Sequence, residues 1–185
     1  MSVQQQRGYT LVEMLIVIAL LALIAAVATP AFDGDDDVIL DRAAEEVASA
    51  FRFARSEAIR TGEGHGLTVS QATQKVTVKK YDITIVPIST LSTLTHPISK
   101  QPYDFNINTG NGTEGVTISN SSDIFNYGTE GRRRSLIFDP IGTPIWIIGS
   151  DPTRHLLVDA TVELSYGGQQ RLVDVAPMTG RVTIQ

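Results

Sequence analysis

The sequence predicts an α+β fold in which a long N-terminal helix packs on a β-rich domain. Three observations predict it. Residues 11 to 28 are apolar apart from Glu13. Between Leu40 and Thr61, apolar residues recur every three or four positions, the spacing of one helix face. After Gly62 the chain breaks into short β-branched or alternating runs separated by turn residues.

The apolar run from Leu11 to Ala28 has 18 residues. As a helix it would extend about 27 Å, close to a hydrocarbon core of about 30 Å. It is apolar on every face, which does not suit a core helix when the rest of the chain has few greasy segments to surround it. A retained single-span anchor and a secretory signal peptide are both consistent with it. Arg7 would be the positive end of a signal peptide and Ala26-Val27-Ala28 its cleavage site, leaving Thr29 first. Glu13 and Pro30 favour the anchor. A carboxylate costs about 2.5–3.5 kcal/mol at the middle of a membrane helix and less near an end. Glu13 therefore needs a reason to be there.

Pro30 and Gly34 weaken the helix, and Asp33, Asp35, Asp36 and Asp37 form an acidic cluster. A second helix is predicted from Leu40 to Thr61, continuous with the first or kinked from it at Pro30. Leu40, Ala43, Val47, Ala50, Phe51, Ala54 and Ala58 form its buried stripe. Asp37 is the expected N-cap, and Arg60 and Gly62 suit the C-terminal end. The runs "HGLTV", "QKVTVKKY", "ITIVP", "GVTIS", "RSLIFD", "PIWIIG", "ATVELSY", "QRLVDVA" and "GRVTIQ" are predicted strands. The polar stretch from Ser89 to Gly115 is predicted to be a long loop or insertion.

Composition narrows the function. The 185 residues suffice for one domain with its own core. A net charge of −5 argues against broad binding to nucleic acid. With no cysteine, thiolate catalysis, Cys-based zinc sites and disulfides are excluded. Asp33, Asp35 and Asp37 have the spacing that opens an EF-hand loop, but Val38 and Ala44 stand where its glycine and bidentate glutamate belong. A helix-capping acidic turn is the better reading. His65, His96 and His155 lie in no metal-binding or catalytic spacing. "TGEGHG" follows a helix, the reverse of a phosphate cradle, so it reads as a helix stop. Arg132, Arg133 and Arg134 read as a solvated or partner-facing patch, and Trp146 as core or interface. No catalytic constellation, cofactor site or metal site emerges. An anchored structural or interaction protein is therefore ahead of an enzyme.

The residues Gly8-Tyr9-Thr10-Leu11-Val12-Glu13, the apolar run and Pro30 resemble the N-terminus of a type IV prepilin or type II secretion pseudopilin. That resemblance implies cleavage by a prepilin peptidase between Gly8 and Tyr9, and methylation of the new N-terminus. Tyr9 stands where the family usually has phenylalanine. Glu13 falls at the fifth mature position and Pro30 at the twenty-second, the family's places for its glutamate and its helix-kinking proline. "AAEEVASAFRFARSEAIRTGEGHGLTV", "SLIFDPIGTP" and "GRVTIQ" resemble the GspH/FimT branch of pseudopilins, whose hallmark is an "ARSEAI" stretch before a turn into a strand. The resemblance implies a leader at residues 1–8, a transmembrane and assembly helix at 9–31, an amphipathic helix at 32–62 and a β-rich periplasmic domain at 63–185. Two β-sheets pack on the helix in this pilin-like fold.

The implied function is that of a non-enzymatic minor pseudopilin near the tip of a type II secretion pseudopilus, anchored in the bacterial inner membrane. A minor pilin of a type IV pilus is the alternative, and the lack of cysteine argues against a major pilin. The implied partners are other pseudopilins or pilins, the peptidase and the inner-membrane assembly platform, with no nucleic acid. Glu13 would pair with the Tyr9 ammonium of a neighbouring subunit, offsetting part of the desolvation penalty of both charges and setting helix register. The rival from another class is a secreted or periplasmic binding module or hydrolase beginning at Thr29.

Overall fold

The computed structural model describes residues 10–27, 33–85, 87–110, 112–120, 123–148 and 151–185. The chain divides into two compact units, residues 1–34 and 35–185. The first contains helix α1 (Leu11–Val27), 17 residues long. Residues 11–24 are exposed on every face, as an all-round apolar sequence without neighbours must be. No described helix is long and apolar enough to cross a membrane.

Helix α2 spans Asp33–Thr61. It begins at Asp33, not at Leu40, so the acidic cluster lies in its first turns. Carboxylates are favoured at the positive end of a helix. Asp37 is thus inside the helix and does not cap it. Together with Asp41, one turn on, it faces a single arginine: Arg171 donates from Nη2 to Asp37 Oδ1 at 3.0 Å and from Nε to Asp41 Oδ1 at 2.6 Å. The predicted stripe is buried throughout, from Leu40 through Phe51 to Ala58.

Among the described residues, thirteen strands follow α2. They are β1 (Gly64–Ser70), β2 (Lys75–Asp82), β3 (Ser89–Thr93), β4 (Asp104–Asn106), β5 (Thr117–Ile118), β6 (Phe125–Asn126) and β7 (Arg132–Arg133). Then come β8 (Ser135–Phe138), β9 (Pro144–Ile148), β10 (Asp151–Leu156), β11 (Asp159–Tyr166), β12 (Gln169–Val175) and β13 (Val182–Ile184). One sheet has the order β10-β9-β8-β1-β2-β3, with β4 also pairing β2. The other has the order β13-β12-β11-β6-β7, with β5 also pairing β11. Every pairing is antiparallel.

Both sheets contribute to one core with the α2 stripe. Leu67, Val76, Val78 and Phe138 come from the first sheet, and Phe125, Val162, Leu164 and Val173 from the second. Phe51 meets Phe125 edge-on, with ring centroids 6.0 Å apart. Alternation sets these faces: on β2 Val76 and Val78 point inward, and on β11 Ala160, Val162 and Leu164 do. The fold is α+β, a helix packed on two antiparallel sheets.

Two further predicted features differ. "ITIVP" forms no strand among its described residues. Asp82 ends β2 by accepting hydrogen bonds at Oδ1 from the Thr84 N–H (2.9 Å) and the Thr84 hydroxyl (2.6 Å), which turns the backbone out of the ladder. The stretch from Ser89 to Gly115 is not simply a loop. It supplies β3 and β4 to the first sheet, and Thr95 bridges Pro102 between them.

Candidate functional site

The candidate assembly segment is α1. Thr10 precedes its first residue, and the Thr10 hydroxyl accepts the Glu13 N–H at 3.2 Å. The Met14 N–H closes on the Thr10 carbonyl at 3.2 Å. Thr10 is therefore the N-cap, and Thr10-Leu11-Val12-Glu13 has the spacing of a capping box. This motif is legible in the sequence and gives Glu13 a local reason for its place. Glu13 lies exposed in the first turn, where the positive end of the helix favours a carboxylate. Gly8, Tyr9 and Pro30 lie outside the described residues.

The segment "ARSEAI" has a structural task. Ala54 and Ala58 enter the core. Between them Arg55, half-buried, donates from Nε to the Gly142 carbonyl at 3.2 Å. Gly142 and Gly180 both have positive φ, +83° and +63°. A Cβ on Gly180 would sit 2.6 Å from the Gly142 carbonyl and 3.1 Å from Arg55 Nε. The turn after β8 and the turn before β13 thus converge on one guanidinium. Glu57 pairs with Arg60 through two hydrogen bonds, 3.0 and 2.5 Å, and these hold its carboxyl below the ordinary carboxylate range. Periodicity marks Ala54 and Ala58, but Arg55's role depends on turns far along the chain and carries no local signal.

Asp139 in "FDPIGT" is buried. Its Oδ1 accepts the Ile141 and Thr143 N–H groups, each at 3.0 Å, and Arg154 donates to Oδ2 at 3.2 Å. It shapes the β8–β9 turn. The histidines each engage their own neighbours. His65 is buried with Nδ1 3.2 Å from the Glu63 carbonyl, His96 Nδ1 accepts the Ile98 and Ser99 N–H groups, and His155 Nδ1 lies 3.9 Å from Glu130. The arginine triplet is tied down within the domain. Arg132 pairs with Asp159, Arg134 pairs with Asp123, and Arg133 lies 5.9 Å above the Trp146 ring. Trp146 is half-buried against the core. Among the described residues, no three His, Asp or Glu side chains gather as a metal requires.

Residues 3–29 match the prokaryotic N-terminal methylation motif, and residues 43–179 match the family described as type II transport protein GspH. A curated relative, the type II secretion system protein H of Xanthomonas campestris pv. campestris, is 43% identical over 60 residues. That stretch is 32% of this chain and 36% of the relative, so the chain spans about a third of the relative's length. Among solved structures, the minor pseudopilin EpsH from the type 2 secretion system of Vibrio cholerae is 14% identical with a TM-score of 0.49, covering 79% of this chain and 95% of that one. The type IV minor pilin FimU of Pseudomonas aeruginosa is 16% identical with a TM-score of 0.44, covering 79% and 87%.

Proposed function

The chain belongs to the type II transport protein GspH family, and from that membership we propose that it is a minor pseudopilin of a type II secretion pseudopilus. One observation carries the reading. An all-round apolar, exposed helix with its single carboxylate in the first turn precedes the domain that the family matches. Such a helix is stable in water only when other apolar surface, lipid or neighbouring helices, covers it.

In this reading residues 1–8 are a leader and a prepilin peptidase cuts between Gly8 and Tyr9. The new Tyr9 N-terminus is methylated, and residues 9–31 with Pro30 form the inner-membrane and assembly helix. Residues 32–62 continue into the periplasmic domain of residues 63–185. The protein works without catalysis, by docking among other pseudopilins on the inner-membrane platform, near the filament tip. Glu13 has two tasks. Its N–H is held by the Thr10 cap, while its exposed carboxylate is free to meet a neighbour's Tyr9 ammonium. The family description favours type II secretion over the type IV pilus.

Intact-mass measurement of the mature chain tests this. The expected N-terminus is methylated Tyr9, and Gly8→Val should leave the leader attached. An unmodified N-terminus at Thr29 would replace the reading with that of an ordinary secreted protein.

A further inference from the structure

The chain is acidic, with 20 Asp and Glu against 15 Lys and Arg, yet one cleft of about 460 Å³ in the second unit is lined by four arginines and no acid. Arg52, Arg55 and Arg60 reach it from α2 together with Ile59, and Arg181 and Val182 from the C-terminal strand region. Arg52, Arg55 and Ile59 are spaced by three and four, so they share one helix face, and Arg60 follows Ile59. Arg60 is committed to Glu57, and Arg52 has a single contact to Glu45 at 3.0 Å. Arg55 uses its Nε on Gly142. The exposed Arg181 side chain has no ion pair among the described residues. The negative end of α2 repels an anion here, so attraction must come from the guanidinium groups themselves.

We infer that this cleft is the receptor for a carboxylate-bearing segment of a neighbouring subunit, gripped by Arg52, Arg55 and Arg181 over the aliphatic floor of Ile59 and Val182. The inference rests on the reading of the chain as an assembly subunit. Planar guanidinium forks match carboxylates in two-point contacts, and the aliphatic floor suits the stems of acidic side chains. Nucleic acid fits less well, because a phosphate track needs charge spread along a groove, whereas these arginines ring one cleft. A second copy could present its Asp37 and Asp41 only by breaking their pairs with Arg171.

The test uses the full chain in non-ionic detergent, purified from a host with a prepilin peptidase. Anisotropy is read with a short labelled peptide of alternating Asp and Leu, its Asn and Leu counterpart, and a single-stranded oligonucleotide. The Asp peptide should bind, more weakly as salt rises. The double variant Arg52→Gln/Arg181→Gln should lose roughly tenfold in affinity with an unchanged melting temperature. Equal binding of the Asn peptide, tighter binding of the oligonucleotide, or undiminished binding by the variant would each overturn the inference. So would self-association of the chain that the double variant abolishes, since the occupant would then be a second copy. Intact mass of the same preparation separates the two readings. A processed chain indifferent to the Asp peptide sinks the cleft alone, and an unprocessed chain sinks the assembly role whatever the peptide does.

Discussion

Phe51 and Glu46 sit on the same helix, and only one of them can be understood from the sequence. Phe51 belongs to a stripe at helical spacing, so its burial follows from periodicity, and it is fully buried. Glu46 looks like an ordinary solvent-facing acid. It is instead half-buried in a cleft with Tyr103 and Phe105, residues brought over it by a stretch that reads as polar loop. Burial raises its carboxyl above the ordinary carboxylate value. The native state therefore holds this proton more tightly than the unfolded chain does. Stability from the protonated form is complete below the unfolded value and is lost as pH rises through the raised native value. At neutral pH the ionised carboxylate works against the fold. Glu46→Gln should consequently raise the denaturation midpoint at about pH 7, with the gain vanishing near about pH 3, where the acid is already neutral. A gain equal at both pH values would show that the side chain is stabilised by something other than loss of charge.

At the scale of elements, legibility follows how locally each one is determined. The α2 stripe and the strands β1, β2, β5, β8, β9, β11, β12 and β13 overlap predicted segments, because alternation or helical spacing is written into their own residues. The strands β3, β4 and β10 are polar or carry proline, and they exist because a neighbour offers a ladder. "ITIVP" has the right composition and loses to the Asp82 turn beside it. Arg55 shows the same dependence on distant partners, since its role appears only when two turns converge on it. Removing it as Arg55→Ala should cost about 1.5–3 kcal/mol, the range for a hydrogen bond from a charged donor. Arg55→Lys should recover little of this, because a lone ammonium cannot reproduce the planar fork. Denaturant unfolding gives the cost, and amide exchange at Gly142 and Gly180 reports whether the turns loosen. Protection unchanged at both amides would show that the guanidinium does not hold them.

For the whole molecule, the assembly role proposed for Glu13 rests on its place in the apolar run, while its capping contact is a feature of the structure. The two make separable predictions. Glu13→Leu keeps the backbone N–H that Thr10 caps, so processing and insertion should persist, while cross-linking to partner subunits should be lost. Cross-linking equal to wild type would end the pairing account. The link between Arg171 and Asp41 has a consequence of a different kind, since it joins residues 130 apart in sequence. During synthesis α2 emerges well before β12, so the greasy side of the helix must wait, incompletely covered, while the strands between them are made. Folds closed by such distant contacts form slowly and expose sticky intermediates meanwhile. Time is thus built into this protein: its helix is ready long before the strands that complete its shelter, and whatever guards it in that interval is as necessary to a finished subunit as any contact in the folded state.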